Sequence, residues 1–234
     1  MKHYTDLFVD FDDTLYDTHG NAVIALHELF DDLRLNRWFP DPQVFYDEYW
    51  KKNIALWGMY SRGEITRDYL IVERFRHPLS FGQGLEPTEQ YCLEASDRFL
   101  DLCSSKPGLV VGARELMDYL RSRGYRMHMC SNGFHEVQYK KLRACGLQDH
   151  FDTIILSEDA GANKPSALFF EYAIRQTGAR KDTTLMIGDN FQTDILGAKH
   201  YGLDTAYFNR TPENPAEEPV DYEVSQLCQL MEIL

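Results

Sequence analysis

Phe8-Val9-Asp10-Phe11-Asp12-Asp13-Thr14 opens apolar and closes acidic, and its reading decides the fold. Residues 6–11 have the near-continuous apolar texture of a strand buried on both faces of a parallel sheet. In open sheets of that kind, ligands sit beyond the carboxyl ends of the strands, where Asp10 and Asp12 stand. A period of two points both side chains the same way. Two neighbouring carboxylates ionise together only at a cost, unless they share a cation or one keeps a proton. Either arrangement suits phosphoryl transfer, with one carboxylate as nucleophile and metal ligand and the other as acid, then base. The same pair also serves as a polar strand-ending turn, so by itself it does not fix the chemistry.

Working outward, short apolar runs recur at 126–130 (RMHMC), 153–156 (TIIL), 184–187 (TLMI) and 205–208 (TAYF). Helical patterns lie between them. In 112–123, Leu116, Tyr119 and Leu120 share a face and Gly124 suits a left-handed helix end; 166–178 follows Pro165, expected at the first helical position. Strand–helix repetition predicts an α/β fold, a Rossmann-like doubly wound parallel sheet with helices on both faces. The stretch after the first strand differs. Val23, Leu26, Phe30 and Leu33 recur at helical spacing, Asp41-Pro42 starts a helix, and Tyr69, Val72 and Arg76 follow Thr66. With Pro87 ahead of Tyr91, Ala95 and Phe99, this predicts an inserted all-helical domain of about four helices. The expected division is 1–17 and 102–234 for the core and 18–101 for the insert.

A net charge of −13 repels polyanions and argues against long nucleic acid as a partner. Any phosphate chemistry therefore calls for a cation. Five scattered cysteines form no C-x-x-C pair, which favours buried or incidental thiols over zinc or disulfides. No apolar run approaches the roughly 18 residues of a membrane span, and an aspartate at position 6 precedes any signal-peptide core. A cytoplasmic protein with no membrane partner is the expectation.

Three later strand ends carry polar groups of the same tendency. Ser131-Asn132-Gly133 offers a hydroxyl and backbone N–H groups where a helix opens, which favours an anion. Lys164 precedes Pro165 and supplies a point charge for phosphate oxygens. Gly188-Asp189-Asn190 and Asp194 put two acids five apart, a donor set suited to Mg²⁺. Each has a plain alternative as a cap, a solvated lysine or a turn. Their order at successive strand ends would bring them to one mouth of the sheet.

These four segments resemble the four motifs of the haloacid dehalogenase-like (HAD) hydrolase superfamily, over the whole core. The insert resembles that superfamily's C1-type helical cap. Within it, Leu56-Trp57-Gly58-Met59-Tyr60 and Gly63-Glu64-Ile65-Thr66 are similar to the bacterial pyrimidine 5′-nucleotidase branch. The resemblance implies Asp10 as the nucleophile that forms an aspartyl-phosphate and Asp12 as the acid/base. It implies Mg²⁺ held by Asp10, the Asp12 carbonyl and Asp189, with Asp194 acting through water or on Lys164. Ser131, Asn132 and Lys164 would bind the transferring phosphoryl group. Dehalogenases of this superfamily lack an acid two residues after the nucleophile, so Asp12 favours a phosphate ester over a halide. Asp13 stands where many members carry glycine. Trp57 and Arg62 are the candidates for reading the leaving group, although aromatics at helical spacing more often form core. The expected activity is that of a small-molecule phosphatase, with nucleoside 5′-monophosphates first and sugar phosphates or other metabolites next. A phosphoglucomutase-like transferase and a non-catalytic phospho-ligand-binding module are the alternatives.

Overall fold

In the computed structural model, which describes residues 2–211, 216 and 218–234, the chain divides into two compact units. One comprises Met1–Thr18 with Pro107–Leu234 and the other His19–Lys106. The elements run β1 (Asp6–Val9), then α1 (Thr18–Asp32), α2 (Pro42–Ser61), α3 (Arg67–Leu79) and α4 (Glu89–Ser104). There follow α5 (Ala113–Ser122), β2 (Arg126–Ser131), α6 (His135–Cys145), β3 (Thr153–Leu156), α7 (Ser157–Ala160) and α8 (Ala167–Thr177). The chain continues with β4 (Thr184–Gly188), a π-helical turn over Phe191–Leu196, α9 (Gly197–Tyr201), β5 (Asp204–Phe208), β6 (Tyr222–Val224) and α10 (Leu230–Ile233). The expected boundary at residue 101 falls inside α4, which runs on to Ser104 before the division at Lys106.

The six strands are all parallel, in the order β3-β2-β1-β4-β5-β6. Alternation along them feeds two apolar layers. Leu7, Val9, Met127, Met129, Leu185 and Ile187 pack with Leu116 and Leu120 of α5 and Leu142 of α6. Phe8, Cys130, Ile155 and Met186 pack on the other face with Phe169, Phe170 and Ala173 of α8 and Ala198 of α9. This is the doubly wound arrangement, with the order reversing at β1. Register places Val9 beside both Met129 and Ile187. Asp10, Ser131 and Asp189 therefore leave the sheet at one edge.

Two local expectations need correction, and one short strand was not anticipated. The first strand ends at Val9, not Phe11, although the Asp10 N–H still donates to the Ile187 carbonyl. Pro165 lies just outside α8, because Ser166 is the N-cap and accepts the Leu168 N–H at 3.3 Å. β6, only three residues long, carried no readable pattern.

The helical unit starts its helices by side-chain caps. Asp41 accepts from Gln43 N–H, Thr66 from Tyr69 N–H and Thr88 from Tyr91 N–H. Its core is aromatic, with Phe30, Phe39, Phe45, Tyr49, Phe75 and Phe99 buried together. Ring pairs 5.3 to 5.6 Å apart, such as Tyr49–Phe75 and Phe75–Phe99, link α2, α3 and α4. Among the described residues no helix is long and apolar enough to cross a membrane.

Candidate active site

Asp10 leaves β1 still tied to the sheet, its N–H donating to the Ile187 carbonyl at 2.8 Å. Its Oδ1 accepts from Lys164 Nζ at 2.6 Å. The same ammonium donates to Asp194 Oδ1 and to the Cys130 carbonyl, both at 2.7 Å. All three lysine hydrogens are thus committed, and the side chain is buried. The Lys164 backbone is braced by Asn132, whose Oδ1 accepts the Lys164 N–H at 2.8 Å and whose Nδ2 donates to its carbonyl at 2.9 Å. The Asn132 side chain thereby helps set the lysine's position.

Asp194 stands in the π-helical turn, where the Ile195 N–H reaches back to the Asn190 carbonyl five residues earlier. Its Oδ1 faces Lys164 and its Oδ2 accepts the Asn190 N–H at 3.1 Å. Only glycine fits at 188, since a Cβ there would lie 2.3 Å from Asp194 Oδ2. Thr14 links the first and fourth motifs. Its hydroxyl accepts the Asp189 N–H at 3.1 Å and lies 3.1 Å from both Asp10 Oδ2 and Asp189 Oδ1. One hydroxyl hydrogen serves one of those carboxylates at a time.

Charge at this edge is out of balance. Asp10, Asp189 and Asp194 bring carboxylate oxygens within 4.8 Å of one another, and Lys164 touches two of them. Burial lifts Asp10 well above the usual carboxylate range; Lys164 opposes the shift, while Asp194 and Asp189 add to it. Burial, then Asp194 and Asp13, push Asp189 up to about 7. Burial would discharge Lys164, but Asp10 and Asp194 outweigh it and raise its pKa. An excess of buried carboxylate oxygens, with no sulfur or imidazole among them, fits a hard divalent cation such as Mg²⁺.

Asp12 has its own set of partners. With the strand ended at Val9, its carboxylate meets the N-terminal part of α6 and the start of α1. Oδ1 accepts from Lys141 Nζ and Thr18 Oγ1, and Oδ2 from Gln138 Nε2. Burial alone would raise the Asp12 pKa, but Lys141 and the three donors bring it below the ordinary value. The two acids thus differ in partners: Asp10 meets Lys164, and Asp12 meets Lys141, Gln138 and Thr18. Ser131 ends β2, and α6 begins only at His135, so Ser131-Asn132-Gly133 is a loop ahead of the helix rather than its cap.

A model of the haloacid dehalogenase-like hydrolases matches residues 7–202. The chain belongs to the haloacid dehalogenase-like hydrolase family. A HAD-hydrolase of Bacillus subtilis, YfnB, is 32% identical over 100% of this chain and 97% of its own. The crystal structure of YfnB, described as bound to magnesium, superposes with a TM-score of 0.88 at 29% identity, covering 100% of this chain and 99% of that one. The pyrimidine 5′-nucleotidases PynA of Streptococcus pneumoniae and YjjG of Escherichia coli are 31% and 30% identical, covering 99% and 97% of this chain and 95% and 96% of theirs.

The HAD-like hydrolase pattern at position 13 acquires a physical reason here. Asp13 has φ 60°, a left-handed conformation that glycine adopts freely and aspartate tolerates better than most residues. Arg210 Nη1 steadies it, 3.2 Å from Oδ1 and 3.3 Å from the carbonyl. Thr14, Gln138 and Lys141 were not anticipated. For the last two, the available signal was a polar residue pair three apart on α6, a helix that must otherwise bury its sheet-facing side.

Trp57 and Arg62 belong to the helical unit. Trp57 lies near the end of α2, edge-to-face with Tyr60 at 5.6 Å. Arg62 caps that helix and pairs with Glu64 through Nε at 2.6 Å and Nη2 at 2.9 Å. Of the other aromatics of the helical unit, Tyr49 is core and Tyr69 is exposed.

Proposed function

We infer that the chain hydrolyses small phosphate monoesters with Asp10 as nucleophile and Mg²⁺ as cofactor. The observation that carries this reading is the buried Lys164, which joins Asp10 to Asp194 at the edge where Asp189 follows β4. Asp10, the Asp12 carbonyl and Asp189 would hold the metal. When bound, it supplies charge to offset the carboxylates and the phosphate. Asp194, with both oxygens engaged, orients Lys164.

A carboxylate oxygen of Asp10 attacks phosphorus, and the ester P–O bond breaks with its electron pair on the leaving oxygen. That oxygen takes a proton from Asp12. In the second step Asp12 removes a proton from water, the water oxygen attacks phosphorus, and the Asp10–phosphorus bond breaks to return the carboxylate. Paired with Lys141, unliganded Asp12 is in the ionised form that the second step uses. An anionic ester beside it favours uptake of the proton required first. Lys164 and Ser131 meet charge on the transferring group.

The reading places nucleoside 5′-monophosphates first among substrates, supported by the full-length similarity to two pyrimidine 5′-nucleotidases. It assigns the choice of ester to Trp57 and Arg62. Phosphate release from a panel of nucleotides and sugar phosphates, with and without Mg²⁺, tests the class directly. Asp10→Asn is expected to reduce turnover by a factor on the order of 10⁴ or more with unchanged folding. Substantial Mg²⁺-dependent hydrolysis by that variant removes the nucleophile assignment. An unchanged order of preference in Trp57→Ala and Arg62→Ala removes the assignment of specificity.

A further inference from the structure

We propose that Gln138 and Lys141 of α6 are a positioning pair that holds the Asp12 carboxylate, and through Gln138 the Ser131 hydroxyl, in place for proton transfer. The proposal rests on the reading of Asp12 as acid/base.

The geometry is specific. Gln138 and Lys141, three apart, lie on one face of the helix and address different oxygens of the same carboxylate. Both are buried, as is expected of neither amide nor ammonium without a reason. Gln138 spends both Nε2 hydrogens, one on Asp12 Oδ2 and one on Ser131 Oγ at 2.7 Å. Among the described residues its buried Oε1 has no hydrogen-bond partner. An amide selected for stability alone would satisfy that oxygen, because a buried polar atom without a protein partner is unfavourable. The chain accepts this cost to direct two donors at Asp12 and Ser131.

The backbone makes room for the arm. A Cβ on Gly133 would fall 1.8 Å from Gln138 Nε2 and 2.5 Å from its Cδ, so glycine at 133 is the condition for the side chain to pass. The result for Ser131 follows from counting lone pairs. Its Oγ accepts from Gln138 and, at 3.0 Å, from the Gly133 N–H. Both lone pairs are used, and its own hydrogen is the one left to donate to an incoming oxygen. Lys141, meanwhile, is fixed over the Tyr16 ring at 5.1 Å. One helix face thus sets the aim of the proton carrier and the polarity of a phosphoryl-binding hydroxyl.

The test uses leaving groups. A poor leaving group, as in an alkyl or ribose 5′-phosphate, needs the proton from Asp12; 2,4-dinitrophenolate does not. Rapid-quench measurement of phosphoenzyme formation in Lys141→Met and Gln138→Leu is expected to show a loss of about 10- to 100-fold with the alkyl ester and little change with the dinitrophenyl ester. Hydrolysis of the phosphoenzyme should slow in both. Lys141→Met, which leaves Gln138 and Ser131 in place, keeps the test open if Gln138→Leu folds poorly. Equal losses on the two esters, or a higher KM with leaving-group sensitivity unchanged, overturn the proposal. Asp12→Asn in the same assay separates the two levels: if it too is insensitive to the leaving group, the acid/base reading fails first.

Discussion

The sheet unit and the helical unit each bury a cation, on opposite terms. Lys164 lies between the carboxylates of Asp10 and Asp194, with the Cys130 carbonyl as its third acceptor. Arg74 of α3 is as deeply buried, yet among the described residues its guanidinium hydrogen-bonds the Ser96 hydroxyl, at 2.7 and 3.2 Å, and no carboxylate, and it meets the faces of Phe75 and Phe99 at 5.6 and 5.3 Å. Burial lowers the Arg74 pKa, whereas the two carboxylates raise that of Lys164. A cation in a polar cluster is held by groups that need it. One in an aromatic core fills space and tolerates its charge. The first kind marks chemistry, and the second marks packing.

Lys164→Met gives the largest expected effect. It leaves Asp10 and Asp194 buried without their shared cation, and breaking such a pairing costs about 3–5 kcal/mol. Urea denaturation of the metal-free protein at pH 8 reads this directly. Turnover should fall by about 10²-fold or more with the loss of a charge at the transferring group. A stability loss below about 1 kcal/mol would place Lys164 in the same class as Arg74.

Metal and pH sharpen the contrast from the acid side. In the metal-free protein Asp10 and Asp189 have raised pKa values, that of Asp189 about 7, against roughly 4 in the unfolded chain. The folded form binds the extra protons between those limits. Its stability is therefore fullest below about pH 4 as far as these groups are concerned, and falls as pH rises through about 7. Mg²⁺ takes the ionised form, so the Tm gained on adding it should grow over the same window. At a hundredfold excess over Kd the gain is about 2.7 kcal/mol. Thermal melts at pH 5.5 and 8, with and without Mg²⁺, measure it; a gain independent of pH would separate the metal from these carboxylates.

The same contrast explains what the sequence discloses. Apolar strands with polar residues at their ends are local patterns, so β1 to β5 and the segments at Asp10, Ser131, Lys164 and Asp189 are legible. Convergence follows from register, which a parallel doubly wound sheet largely imposes. Gln138, Lys141 and Thr14 escape because their partners lie on other elements. Gln138 addresses Asp12 from 126 positions away, and no spacing rule connects them. The helical unit hides more. Helical periodicity there reports burial, and a Tyr49 in the core looks in sequence like an exposed Tyr69. Trp57 and Arg62 carry no local mark of a role beyond their type.

Arg74→Met is the smallest effect and the sharpest discriminator. Methionine nearly matches the aliphatic stem in length, and its sulfur gains contacts of about 0.3–1.5 kcal/mol with Phe75 and Phe99. What disappears is a cation–π attraction of similar size and the hydrogen bonds donated to Ser96 Oγ. The desolvation of the guanidinium is relieved at the same time, and apolar replacement of a buried charge is often neutral or stabilising. The expected change is within about 1 kcal/mol, with activity retained. Arg74→Ala, by contrast, opens a cavity and should cost about 2–5 kcal/mol. Adding Ser96→Ala to Arg74→Met removes the hydroxyl left without its donor and should restore stability. If Arg74→Met alone costs as much as Lys164→Met, the guanidinium is held by its surroundings as firmly as the ammonium. The distinction between a cation kept for chemistry and one kept for packing then fails for this protein.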